Sequence, residues 1–267
     1  MEGSKKQQQQ QHYVLVHGAC HGAWCWYKVA TRLRSEGHRV TALDMAASGA
    51  DPRRVEDLSS ISDYCQPLME FMAALQPDER VVLVGHSLGG LGISLAMEKF
   101  PEKVSVAVFV TAFLPGPDLT LLAILAEYEK QLGSYMDNQI SFSNGDDKPP
   151  TSLLFGPEFL ASRLYQLSPP EDLSLATSLV RPLTLYDDSD LAKEGAVSKE
   201  NYGSVRRAYV VCDQDNVLKQ SFQQWMIENN PVEEVKVISG ADHMPMFSKY
   251  NELCDSLQDF AEKYCPS

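Results

Sequence analysis

The sequence predicts an α/β fold, a mostly parallel doubly wound sheet with a mostly helical cap insertion, and three observations predict it. Short apolar runs rich in Val, Leu and Tyr recur along the chain, and segments of helical period separate the early ones. One run, Val81-Val82-Leu83-Val84, ends in Gly85-His86-Ser87-Leu88-Gly89 and passes straight into the helix-like stretch Ile93-Ser94-Leu95-Ala96-Met97-Glu98. Runs that are apolar at every position suit strands buried on both faces, as in a parallel sheet sandwiched by helices.

The first two predicted strands cover 13–16 and 39–43, with a helical stretch at 26–33 between them closed by Gly37-His38. A second helical stretch, 64–75, stops at Gln76-Pro77-Asp78 and leads to the strand at 81–84 and then to one at 104–110. There the alternation breaks. Pro115-Gly116-Pro117, a helical stretch at 119–133, a Ser/Asn/Gly/Asp/Pro segment at 141–150 and short helices around 158–166 and 171–179 fill the gap before strands resume at 208–212 and 235–238. We therefore expect a core of residues 12–112 and 187–267 with a cap insertion at 113–186. An insertion after a strand's carboxyl end overhangs the crevice where open α/β sheets bind ligands. Within it, Leu119, Leu121, Leu122, Ile124 and Leu125 are either core packing or a substrate-facing lining.

A chain of 267 residues suits one large domain with an insertion better than two independent domains. Its 36 acidic against 23 basic residues, a net charge of −13, repel phosphate and argue against nucleic acid or an anionic membrane as partner. The six cysteines form no C-x-x-C pair and no zinc-like spacing, so we expect reduced thiols and no metal. Residues 1–11 are charged and glutamine-rich, which predicts a disordered tail that is neither signal peptide nor anchor. No N-x-[ST] acceptor and no membrane-length apolar stretch occur, and a cytoplasmic location is expected.

Gly85-His86-Ser87-Leu88-Gly89 has the G-x-S-x-G form of a nucleophile elbow, in which a strained strand-to-helix turn lifts a serine Oγ clear of the sheet. Gly85 and Gly89 leave out the Cβ atoms that would collide where strand and helix cross. Such a serine needs a base and an acid that fixes the base's tautomer, in the chain order Ser, acid, His. Asp215, just after the predicted strand 208–212, and His243, just after the last strand, supply that order on the edge of the sheet that carries Ser87. Asp213 is the rival acid, but it follows its strand so closely that Asp215 is preferred. Asp242 adjoins His243 and reads as structural, and His86 reads as a packed, hydrogen-bonded core residue. His12 and His38, at strand starts, read as surface or edge residues. For an oxyanion hole, Leu88 follows the nucleophile, and Ala19 is the best placed donor in the small-residue loop after the first strand. Cys20 and His21 in that loop form an alternative reactive pair, set aside because Ser87 has the better-placed base. Phe113, Leu114 and Met244 are candidates for an apolar substrate pocket.

From Tyr13 to Tyr264 the chain resembles the plant methylesterases of the α/β-hydrolase fold, a group that includes methyl jasmonate and methyl salicylate esterases and is related to hydroxynitrile lyases and methylketone synthases. The matching words are Leu15-Val16-His17-Gly18-Ala19-Cys20-His21-Gly22-Ala23-Trp24, Thr41-Ala42-Leu43-Asp44, Gly85-His86-Ser87-Leu88-Gly89-Gly90, Tyr202-Gly203-Ser204-Val205 and Ala241-Asp242-His243-Met244. Carried over position by position, the resemblance places the nucleophile on Ser87, the acid on Asp215, the base on His243 and the oxyanion donors on Ala19 and Leu88. It implies cofactor-free demethylation of small lipophilic hormone esters, with methyl jasmonate ahead of methyl salicylate and methyl indole-3-acetate, and it suggests a homodimer. Hydroxynitrile lyases of this group carry a threonine at the position of Gly18 and a lysine at that of Met244, and methylketone synthases replace the serine; this chain departs from both toward hydrolysis. The alternatives are a lyase or β-keto acid decarboxylase on the same scaffold, and a hormone-binding protein with little turnover.

Overall fold

A computed structural model describes residues 9–145 and 147–265. Most of the tail expected at the N-terminus, residues 1–8, lies outside the described residues. Six strands form the main sheet: β1 (His12–Val16), β2 (Arg39–Leu43), β3 (Val81–Ser87), β4 (Val104–Ala112), then β8 (Arg207–Cys212) and β9 (Glu234–Ile238), with order β2-β1-β3-β4-β8-β9 and every pair parallel. Helices α1 (Tyr27–Ser35), α2 (Ile61–Ala74) and α3 (Gly89–Lys99) connect the first four strands, and α8 (Gln220–Asn229) connects β8 to β9. The chain closes with α9 (Pro245–Ser248) and α10 (Tyr250–Tyr264).

Alternation along each strand splits the core into two layers. Tyr13, Leu15, Val82, Val84, Val108 and Val210 pack with Val29 and Leu33 of α1 and Leu257 and Phe260 of α10. Their neighbours Val14, Val16, Leu83, Phe109 and Val211 face Leu68 and Met72 of α2, Ala96 of α3 and Phe222 of α8. Burial on both faces is why these strands read as unbroken apolar runs.

Between β4 and β8 lie α4 (Leu121–Leu132), β5 (Gln139–Ser141), β6 (Ser152–Leu154), α5 (Pro157–Phe159) with a π-turn over Leu160–Leu164, α6 (Pro170–Leu179), β7 (Leu183–Thr184) and α7 (Asp188–Glu194). The insertion is therefore not purely helical, because β5, β6 and β7 form a small antiparallel sheet. Strands of two or three residues are too short to show a period of two in sequence.

The expectation of surface or edge positions fails for His12, and His38, although it adjoins the edge strand β2, is buried as well. β1 is an interior strand, so the His12 ring is enclosed, bonding Glu79 at 2.8 Å and Thr41 Oγ1 at 2.9 Å with Phe71 edge-on. His38 lies edge-on to Tyr13 and accepts from the Gln11 N–H at 3.2 Å.

The turn from β3 into α3 passes so close to β1 that a Cβ on Gly89 would stand 2.7 Å from the carbonyl oxygens of both Val16 and His17. Alanine would ordinarily gain about 1 kcal/mol over glycine within a helix. Here the obstacle is backbone, which cannot rotate aside, so the steric penalty of about 1–3 kcal/mol decides the sign. Gly89→Ala is therefore expected to lower the urea midpoint, and an unchanged or raised midpoint would contradict this packing.

Candidate active site

Ser87 ends β3 with φ +54°, a left-handed conformation costing a non-glycine residue ~1–3 kcal/mol. The strain aims its side chain off the end of the sheet, where 9% of the residue remains exposed. Its Oγ lies 3.0 Å from His243 Nε2, and His243 Nδ1 lies 2.6 Å from Asp215 Oδ2. Because a carboxylate can only accept, the proton of the neutral imidazole sits on Nδ1, leaving Nε2 to accept from the serine hydroxyl. The three residues come together from the ends of β3, β8 and β9, all at the carboxyl edge of the sheet.

Asp215 is buried with no Lys or Arg paired to it among the described residues, so its charge rests on hydrogen bonds. Oδ1 accepts from the N–H groups of Val217 at 2.6 Å and Leu218 at 2.9 Å, and Oδ2 accepts from Thr111 Oγ1 at 2.5 Å as well as from His243. The turn carrying it is held by the buried amide of Gln223, which accepts from Cys212 N–H at 3.1 Å and donates to the carbonyls of Cys212 at 3.0 Å and Leu218 at 2.6 Å. Asp213, the rival acid, is not at the site; it accepts from Ser239 Oγ and Gly240 N–H and ties the ends of β8 and β9 together. Asp242 accepts from Met244 N–H, Ser248 Oγ, Leu167 N–H and Ser168 Oγ, which fixes the His243 loop and fastens the insertion to it.

The loop after β1 lies directly against the serine: a Cβ on Gly18 would be 2.8 Å from Ser87 Cβ and 3.0 Å from His86 Nδ1. Two histidines set the loop's peptide planes. His17 Nδ1–H donates to Gly18 O at 2.8 Å while its Nε2 accepts from Met45 N–H at 3.0 Å. His21 Nδ1–H donates to Ala19 O at 2.8 Å while its Nε2 accepts from Tyr165 Oη at 2.7 Å. In a trans peptide the Ala19 N–H points opposite to the Gly18 carbonyl that His17 holds. Leu88 follows Ser87 at the N-cap of α3. His86 Nε2 bonds His243 O at 2.7 Å, and its Nδ1 is buried without a hydrogen-bond partner among the described residues.

Burial lowers the pKa of His17, His21 and His86, with His21 down to about 3, so all three are neutral. Burial also pushes the Cys20 thiol up to about 12, and its Sγ bonds Leu153 O, which leaves no thiolate for a Cys20–His21 reactive pair. Phe113 is buried, its N–H donates to Ser87 O at 3.1 Å, and its ring is edge-on to Tyr128. Leu114 and Met244 are fully buried; Leu114 packs in the layer of α2, α3 and α8, and Met244 in the layer of α1 and α10 with Tyr165 and Phe247. Thr111, Gln223 and Tyr128 were not singled out by the sequence. Tyr128 had a detectable signal, since it follows Leu121 and Ile124 on one face of α4. Burial and the Asp215 charge raise its phenol pKa. Among the described residues no three His, Cys, Asp or Glu side chains are grouped as a metal would need, and no helix is long and apolar enough to cross a membrane.

Comparison with known proteins gives concordant findings. The profile of the alpha/beta hydrolase family matches residues 13–255. Methyl jasmonate esterase 1 of Vitis vinifera is 58% identical over 97% of this chain and 99% of its own length. Salicylic acid-binding protein 2 of Nicotiana tabacum is 49% identical over 95% of this chain and 98% of its own. The crystal structure of tomato methylketone synthase I complexed with 2-tridecanone superposes with a TM-score of 0.93 at 50% identity, covering 96% of this chain and 99% of that one.

The neutral histidines set a pH dependence. Unfolding raises each to its ordinary value of 6.5, so below that pH the unfolded state binds protons that the folded state refuses, and stability falls as pH drops. His21 and His86 each contribute a slope approaching ~1.4 kcal/mol per pH unit, which for His21 continues to about 3, and His17 acts in the same direction. Urea titrations are expected to give a lower midpoint at pH 5.5 than at pH 7; an equal or higher midpoint at pH 5.5 would contradict burial of these rings as neutral species.

Proposed function

We propose, from the premise that this chain belongs to the alpha/beta hydrolase family, that it is a serine carboxylesterase that demethylates small lipophilic methyl esters, methyl jasmonate first. The observation that carries the proposal is the continuous hydrogen-bond chain from Ser87 Oγ through His243 to Asp215, with the Gly18-Ala19 backbone against the serine. Methyl jasmonate leads methyl salicylate because the Vitis esterase shares more of this sequence than the tobacco salicylic acid-binding protein does.

Ser87 Oγ attacks the ester carbonyl as His243 Nε2 takes its proton, and Asp215 holds the imidazole's tautomer and stabilises its cation. The N–H groups of Ala19 and Leu88 receive the developing oxyanion, each worth ~3 kcal/mol in the transition state. His243 returns the proton to the departing methanol, and water, activated by the same imidazole, frees the acid from the acyl-enzyme. No step needs a cofactor. Residues 113–186 act as a cap, and Phe113 with Tyr128 gives the acyl pocket its apolar character, whereas Leu114 and Met244 are fully buried in opposite layers of the core and are not brought together. The protein works in the cytoplasm, as a homodimer, on a small-molecule ester. The lyase alternative lacks support at two positions: Met244 brings no cation beside His243, and the packing at Gly18 has no room for a side chain without displacing Ser87 or His86.

Free acid released from methyl jasmonate, methyl salicylate and methyl indole-3-acetate tests this. The wild-type protein is expected to release at least one acid, and Ser87→Ala to lower kcat by roughly 10⁴-fold or more. Binding of the free acids without release of any would favour a hormone-binding protein and sink the esterase.

A further inference from the structure

Thr111 meets Asp215 from the sheet itself, and an irregularity in the sheet delivers it. After an earlier shift at Val81–Val82, β3 and β4 run in register from Val82 opposite Val106 to His86 opposite Val110; the next pair is Ser87 with Ala112, so Thr111 is left over. Such an extra residue breaks the alternation of side chains and re-aims one of them. Thr111 has φ +35°, a region that a β-branched residue avoids unless its surroundings hold it there. They do: the buried Tyr209 hydroxyl donates to Ala112 O at 2.8 Å and accepts from Ala112 N–H at 3.0 Å, clamping the residue after the bulge. Thr111, fully buried, then donates from Oγ1 to Asp215 Oδ2, the oxygen that also accepts the hydrogen bond from His243 Nδ1–H.

We propose that Thr111 is a positioning residue for the Asp215–His243 pair. Each carboxylate oxygen has two lone-pair directions; at Oδ2, Thr111 occupies one and His243 the other. The Val217 and Leu218 N–H groups grip only Oδ1, about which the carboxylate would otherwise rock and swing Oδ2 off the imidazole. The Thr111 hydroxyl removes that freedom. The arrangement exists in the resting protein, while its kinetic consequence rests on the esterase proposal.

Thr111→Val removes the donor and keeps the branched shape, and Thr111→Ser keeps the donor. The test records the low-field proton resonance of His243 Nδ1–H in the resting protein, assigned by its loss in His243→Ala, together with kcat and KM on methyl jasmonate. Valine is expected to shift or broaden the resonance and to lower kcat about 10- to 100-fold, the range for losing a hydrogen bond to a charged group, with KM unchanged. Serine is expected to restore resonance and rate together. A valine variant with the wild-type resonance and kcat would overturn the inference, as would losses that serine fails to recover. If wild type cleaves no ester while the resonance responds to valine and returns with serine, Thr111 keeps its role and the esterase proposal fails. If wild type cleaves the ester and neither resonance nor rate responds, the esterase stands and this inference falls.

Discussion

A carboxylate kept out of water and away from any cation must be surrounded by donors, and Asp215 imposes that constraint on the end of the sheet. Its donors come from separate parts of the chain: the β4 bulge at Thr111, the turn after β8 at Val217 and Leu218, and the loop after β9 at His243. No single helix or strand provides them, so the site forms only when the long-range sheet order is correct. Positive φ at Thr111 and Ser87 is local strain that persists because Tyr209 clamps Ala112 and the Phe113 N–H holds the Ser87 carbonyl.

The serine side of the site obeys a different constraint, close approach of backbone. Gly18 and Gly89 let the loop after β1 and the start of α3 crowd around Ser87, and His17 and His21 lock the loop's carbonyls from behind. Those two rings serve this purpose only while neutral, because each uses one nitrogen as donor and the other as acceptor. Burial maintains that state. The same desolvation that silences the Cys20 thiol thus fixes the geometry that an oxyanion would meet.

Most of the main sheet was legible in sequence because its central strands β1, β3, β4 and β8 are buried on both faces, and all six strands begin and end within three residues of their apolar runs. The grouping of Ser87, Asp215 and His243 was legible because each lies at or shortly beyond the carboxyl end of a strand, and parallel strands deliver all such positions to one edge. Thr111 was not. Its place depends on a register shift between β3 and β4, which no property of either strand alone records. Gln223 looks like any polar residue of an amphipathic helix, and only tertiary structure shows its amide filling the turn at Cys212. His12 was misread for a related reason: a strand's starting residue is exposed or enclosed according to its neighbours in the sheet, and β1 is flanked on both sides.

The central claim, that Ser87 is a nucleophile activated by His243, is tested most directly by covalent capture. A nitrophenyl alkylphosphonate transfers its phosphorus to an activated serine with loss of nitrophenolate and leaves a stable mimic of the tetrahedral intermediate. Mass spectrometry of the treated protein is predicted to find one adduct per chain, on the peptide containing Ser87, and to find almost none after the same exposure of His243→Ala. An adduct on another residue, or continued ester hydrolysis with Ser87 unmodified, would contradict the account.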